Sequence, residues 1–201
     1  MELIWIVPVA GIGAILFALY LVRDVMRRDP GPPEMRDIAG RIVEGAMAFL
    51  RRQYGTIALL ALVAAVGIGV LLALLAHTDV DGNGIIDTSD KIGLGWRTGV
   101  AFLVGAFCSA LSGFIGMWVS VRANVRTAAA AARGGLREAI TVSMRGGAVS
   151  GFLIVALSLL GVAAIFYAYG GFNRADLAPF LIVGFGFGAS FVALFAQLGG
   201  G

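Results

Sequence analysis

Five stretches of this 201-residue chain contain no Asp, Glu, Lys, Arg or His: Leu3–Val22, Gln53–Ala76, Thr98–Val121, Gly146–Asn173 and Leu177–Gly201. Each is long enough to cross the roughly 30 Å hydrocarbon layer as a helix, which takes about 20 apolar residues. Only helices and closed barrels satisfy their backbone in lipid, and continuous apolar runs lack the alternation of a barrel strand. The expected fold class is therefore all-α, a polytopic bundle of five transmembrane helices forming a single membrane domain over 1–201. Hydrophobic residues make up 59% of the chain and charged ones 13%, which excludes a soluble enzyme. The single cysteine, Cys108, excludes a disulfide scaffold. The first run starts at Met1-Glu2 without positive charge, and no small-x-small site precedes Arg23, so it reads as a resident helix and not a cleaved signal.

The charges that remain are concentrated in two connections, a pattern that points to a lipid bilayer and not to nucleic acid. The first holds Arg23, Arg27, Arg28, Arg36, Arg41, Arg51 and Arg52; the second holds Arg122, Arg126, Arg133, Arg137 and Arg145. The other two connections share Lys91, Arg97 and Arg174. The positive-inside rule then makes both Arg-rich connections cytoplasmic, with the N-terminus outside and Gly201 at the cytoplasmic side. Within the first connection, Asp29-Pro30-Gly31-Pro32-Pro33 breaks the chain. Beyond it Ile38, Ile42, Gly45, Ala46 and Phe49 follow a helical spacing between charged residues. The second helix is thus expected to start near Pro33 and project past the bilayer. The run Ala128–Ala132 extends the third helix in the same way, up to Gly134-Gly135.

Ala101, Gly105, Ser109 and Gly113 in the third run, and Gly184 and Gly188 in the fifth, have the four-residue spacing of small residues at close helix contacts. Gly184-Phe185-Gly186-Phe187-Gly188 sits inside an apolar run, not at a strand-to-helix turn, so it is no dinucleotide loop. No acidic or basic residue interrupts the five runs, whereas ion translocation normally needs one at membrane depth. No catalytic residue is expected within the chain. The outer connection, 77–97, holds one ligand-like pattern. Asp79, Asp81, Asn83, Ile85, Asp87 and Asp90 fall at positions one, three, five, seven, nine and twelve of an EF-hand-like calcium loop, with Gly84 at six. A solvated Asp/Asn/Gly turn is the competing reading.

Several segments carry a resemblance. They include Gly45-Ala46-Met47-Ala48-Phe49-Leu50-Arg51-Arg52-Gln53-Tyr54, Trp96-Arg97-Thr98-Gly99-Val100-Ala101-Phe102 and Ser112-Gly113-Phe114-Ile115-Gly116-Met117. They continue through Arg122-Ala123-Asn124-Val125-Arg126-Thr127, Arg145-Gly146-Gly147-Ala148-Val149-Ser150-Gly151-Phe152, Phe187-Gly188-Ala189-Ser190 and Gly199-Gly200-Gly201. In this order the chain resembles the N-terminal part of the membrane-embedded inorganic pyrophosphatases, the pyrophosphate-energised proton or sodium pumps. The resemblance implies sixteen helices and a homodimer in the intact protein, with magnesium and pyrophosphate held by residues beyond Gly201. It also implies an ion-translocating diphosphatase whose first five helices are present here without the hydrolytic motif. Gln197 matches a position near the coupling region that is commonly Arg in relatives, although packing explains it as well. Arg122 and Arg126 match an Arg-rich inner end of the third helix, where a positive-inside anchor is the alternative. A small non-enzymatic bundle or accessory subunit is the alternative for the whole chain.

Overall fold

The computed structural model describes residues 5–75, 87–172 and 178–198. These form α1 (Ile6–Arg27), α2 (Pro33–Leu75), α3 (Thr88–Ala132), α4 (Leu136–Ala168) and α5 (Ala178–Leu198). All five are long and apolar enough to cross a membrane. The expected polytopic helical bundle is what the chain forms.

Several of the described helix ends follow from local chemistry. Helix α1 stops where Arg28 turns extended, four residues before Pro32-Pro33. Pro33 opens α2, as suits a residue with fixed φ and no N–H to satisfy in the first turn. At 43 residues α2 is about 65 Å long at 1.5 Å per residue, twice what the bilayer needs. Helix α3 ends at a tight turn in which Gly134 takes φ +78, a left-handed conformation open to glycine. There Gly134 N–H donates to the Ala131 carbonyl at 2.9 Å and Gly135 N–H to the Ala130 carbonyl at 3.1 Å, which satisfies two carbonyls at the helix end. The same pair of bonds recurs after α4, from Gly170 to Tyr167 and Gly171 to Phe166.

One boundary differs from the sequence reading. Residues 88–97, expected as the end of an outer loop, are the first turns of α3. The cause is a reciprocal cap. The Asp87 carboxylate accepts from the Ser89 and Asp90 N–H groups at 2.7 and 3.0 Å, and Asp90 Oδ2 accepts from Asp87 N–H at 3.1 Å. An Asp cap followed by an acid three residues on starts a helix in just this way.

The chain divides into two compact units: Met1–Gln53 with Leu111–Leu157, and Tyr54–Ala110 with Ser158–Gly201. In the first, α1, α3 and α4 share a core of Ala18, Leu21, Val119, Val149 and Leu153, continued by Val25, Ala123 and Val142. In the second, Ile57, Ala61 and Ala65 of α2 pack with Phe102 and Ala106 of α3 and Val192 of α5. Ala101, Ile165 and Phe185 extend that core to α4.

The small residues of α3 and α5 carry the closest approach in the second unit. A β-carbon on Gly188 would run into the Phe102 carbonyl, one on Gly184 into that of Thr98, and one on Gly105 into that of Phe185. Ala101 and Gly105 are buried in this contact, Ser109 is half-buried, and Gly113, in the first unit, is exposed. The expected stripe is therefore used along its first half, for packing. Gly184–Gly188 is likewise a helix-packing segment.

Candidate functional site

The densest polar structure lies at the Arg-rich end of the first unit, where α1 ends, α2 begins and α3 turns into α4. Asp24, two residues past the apolar run of α1, accepts from Arg145 Nη1 at 2.6 Å and from Arg28 Nη2 at 3.3 Å. Arg28 also reaches Glu138 Oε1 at 3.4 Å. Asp29 pairs with Arg133 through a short contact and lies 4.0 Å from Arg36. Its Oδ1 accepts the Gly31 N–H at 2.9 Å, closing the turn that carries the chain into α2. That backbone bond, then the Arg133 guanidinium, holds the Asp29 carboxyl below its ordinary value of 3.8. Three of these pairs span more than a hundred residues of sequence: Asp29–Arg133 are 104 apart, Arg28–Glu138 110 and Asp24–Arg145 121.

Arg126, read from the sequence as either a family position or a positive-inside anchor, has a definite structural task. Its Nε donates to the Arg28 carbonyl at 3.1 Å, Nη2 to the Met26 carbonyl at 3.3 Å and Nη1 to the Arg122 carbonyl at 2.7 Å. The guanidinium fork thus closes the C-terminus of α1, where carbonyls lack intrahelical donors and a cation is favoured by the helix dipole. Arg122 donates to the Trp118 carbonyl at 3.0 Å and lies over the Trp118 ring, 4.0 Å from its centroid. Sequence reasoning missed the Asp24–Arg145 pair and the Arg126 clamp. The available signal was Asp24 itself, an acid placed directly after a membrane run among arginines.

Of the other expected site residues, only some are described. Gln197 lies in α5, one residue before its end, and its side chain is outside the described residues. Of the calcium pattern, Asp87 and Asp90 are engaged in the α3 cap, and Asp90 is 1% exposed. Asp79, Asp81, Asn83 and Ile85 lie outside the described residues.

The carboxylates of this end do not suit magnesium. A hard divalent cation needs several oxygen ligands converging on one point. Asp24, Asp29, Asp37 and Glu138 are each engaged by an arginine. Among the described residues no three His, Cys, Asp or Glu are grouped to hold a metal. What the arrangement does chemically is neutralise buried-edge charge and tie helix ends together.

Comparison with known proteins decides the family. The model of the inorganic H+ pyrophosphatase family matches residues 12–201. The chain belongs to that family. It is 55% identical over 201 residues to K(+)-insensitive pyrophosphate-energized proton pump 2 of Moorella thermoacetica, covering 100% of this chain and 26% of that protein. It is 50% identical over 192 residues to a K(+)-insensitive pyrophosphate-energized proton pump of Caldanaerobacter subterraneus, covering 94% of this chain and 26% of that protein. Pyrophosphate-energized membrane proton pump 3 of Arabidopsis thaliana is 43% identical over 200 residues, 92% of this chain and 24% of its own. The chain thus spans about a quarter of the length of these relatives. No solved structure matches. Within the pyrophosphatase family, the helix-packing glycines and the Arg-rich end described above belong to the portion this chain covers.

Proposed function

We propose that this chain is the N-terminal membrane portion of a pyrophosphate-energised proton pump that, at full length, couples hydrolysis of magnesium pyrophosphate to proton export. The observation that carries the reading is the match along residues 12–201, with 55% identity over the whole chain to a protein named as such a pump. Phosphoryl transfer from a magnesium-bound substrate needs carboxylates for the metal and cations for the phosphate. Here Asp24, Asp29, Asp37 and Glu138 are engaged by arginines and no acidic group among the described residues is arranged to hold a metal, so we assign hydrolysis and its magnesium to the rest of the pump. The alternative of an independent small bundle gains nothing from such a match. In the intact pump the five helices act as scaffold, with the Arg-rich end on the cytoplasmic face, and two pumps associate as a homodimer. We assign Gln197, near the end of α5, to the neighbourhood of the coupling region, a reading that rests on the resemblance.

The test is phosphate release from magnesium pyrophosphate. Purified in detergent, the chain alone is expected to release none. Co-expressed with the remaining three quarters of the Moorella relative, it is expected to restore magnesium-dependent hydrolysis. Magnesium-dependent release by the chain alone, abolished by substituting any one of its carboxylates, refutes the assignment.

A further inference from the structure

Helix α1 keeps its bulk on the outside. Its buried residues are Gly11, Ala18, Leu21 and Val25, the small ones letting it lie close against its own unit. Its outer face carries Trp5, Val9, Ile12, Leu16 and Leu19, spaced by three or four residues and each 52 to 68% exposed. This stripe holds no Gly, Ala or Ser, so it lacks the small residues by which membrane helices approach one another. Arg23 and then Arg27 continue it at four-residue steps, and both are exposed. At 1.5 Å per residue, Trp5 and Arg23 stand about 27 Å apart along the axis, close to the roughly 30 Å of a hydrocarbon layer. An apolar stripe closed by an aromatic ring at one end and cations at the other matches the two surfaces of a bilayer.

The cations at the foot of the stripe are not neutralised from within. Asp24 is engaged by Arg145 and Arg28, and Asp29 by Arg133. Neither Arg23 nor Arg27 has a carboxylate partner among the described residues. The shortage is general at this end: seven arginines face five carboxylates over 23–52, and five face one over 122–145. Arg23 directly follows the apolar run, so its long side chain reaches the depth of the lipid phosphates. Arg27 is its neighbour one turn on, about 5–6 Å away between β-carbons. Two guanidinium forks at that spacing suit the oxygens of one phosphate group. A protein element covering this face would have to bring carboxylates to both arginines and pack on a stripe without small residues. A phospholipid brings its phosphate and its apolar chains together, and one without a cation in its own headgroup leaves the phosphate to the arginines.

We propose that the outer face of α1 is a binding site for an anionic phospholipid, with the phosphate held between Arg23 and Arg27 and the acyl chains along Leu19, Leu16 and Ile12. The bound lipid fixes the depth of α1 in the bilayer. The proposal stands apart from the pump reading, since it uses only α1 and its place in a membrane.

Native mass spectrometry tests it. The chain is purified in an uncharged detergent with equal amounts of dioleoylphosphatidylglycerol and dioleoylphosphatidylcholine, and the lipid retained per chain is counted. At least fivefold more phosphatidylglycerol than phosphatidylcholine is expected. Arg23→Gln/Arg27→Gln should bring the ratio within twofold of unity, and Arg27→Gln alone, outside the apolar run and so the milder change to the fold, should at least halve it. Arg41→Gln/Arg137→Gln removes the same charge from positions about 18 Å before Gln53 and about 13 Å before Gly146, and should leave the ratio unchanged. No preference in the unsubstituted chain, or equal loss in the Arg41/Arg137 variant, overturns the site; the second result would mean attraction to surface charge at large. A preference retained in Arg23→Gln/Arg27→Gln also overturns it. So does a preference shown by the chain alone but lost in its complex with the remaining three quarters of the Moorella relative, because protein then covers the face. Failure of that complex to form bears on the pump reading and leaves the lipid result from the chain alone decisive.

Discussion

Replacing Gly188 by Ala probes the α3/α5 contact most directly. A β-carbon there lies inside the Phe102 carbonyl oxygen, 2.6 Å from the Phe102 carbonyl carbon and 2.9 Å from its Cα. Because all three atoms are backbone, no rotamer relieves the clash. Bringing the carbonyl carbon out to ordinary contact requires the helices to part locally by at least about 0.8 Å. That loosens Phe102 and Val192, which share a core, and the Phe102–Phe191 ring pair at 5.6 Å. Overpacking of this kind costs about 1–3 kcal/mol, and the upper half applies where backbone must move. Ala gains about 1 kcal/mol over Gly in a helix, leaving a net loss of about 1–2 kcal/mol. Gly186 is the control, because a β-carbon there meets nothing within 4 Å and should only gain. The two variants are therefore expected to differ by about 2–3 kcal/mol, a factor of about 30 to 150 in the folding equilibrium. Denaturation of the detergent-solubilised chain by a graded anionic detergent, followed by circular dichroism, measures the difference. Gly188→Ala and Gly186→Ala variants of equal stability would show that the two helices are not in backbone contact.

Arg126→Met removes three donors from the Met26, Arg28 and Arg122 carbonyls and is expected to cost about 1–3 kcal/mol in the same assay. It should also speed tryptic cleavage after Arg28, whereas unchanged cleavage would deny Arg126 its role in closing α1. Asp29 is held below 3.8 in the fold, first by the Gly31 N–H and then by Arg133. A depressed carboxyl contributes stability above its unfolded value and loses it as pH falls through the folded one, so its contribution disappears below about pH 3.8. A carboxyl-carbon titration should give a midpoint below 3.8 that rises in Arg133→Gln; a midpoint at or above 3.8 contradicts the turn geometry. Cysteines introduced one at a time at Glu34, Arg137, Gly84 and Asn173, in a Cys108→Ser background, should react with an impermeant reagent outside intact cells only at 84 and 173. Labelling at 34 or 137 reverses the orientation. For the outer segment, calorimetry should detect calcium with a dissociation constant of roughly 0.1–1 mM, weakened in Asp79→Ala. No saturable binding at millimolar calcium leaves Asp87 and Asp90 with the helix cap as their whole task.

The sequence by itself determined the number of spans, the start of α2 at Pro33 and the extension of α3 to the Gly134 turn. Each of these depends on a run of neighbouring residues or on one residue's backbone preference. It also determined the family, because the order of short segments survives without any knowledge of contacts. The early start of α3 was legible in Asp87-Thr88-Ser89-Asp90, but those acids fit a calcium loop as well as a cap. Local pattern does not separate two uses of the same oxygens; the structure shows the cap in use, with the Asp90 N–H donating to the Asp87 carboxylate and the Asp87 N–H donating to that of Asp90. Tertiary structure alone decided the ion pairs and clamps of the Arg-rich end. Composition gives a surplus of arginines there, but not that Arg145 is spent on Asp24, or Arg126 on the end of α1. It alone also decided that Gly105 and Gly188 lie against carbonyls while a β-carbon on Gly186 would meet nothing within 4 Å. The physical reason is the same in both cases. Helix formation and membrane insertion are read within about twenty residues of chain, whereas hydrogen bonds and close packing depend on which helices are brought side by side, about a hundred residues apart in sequence.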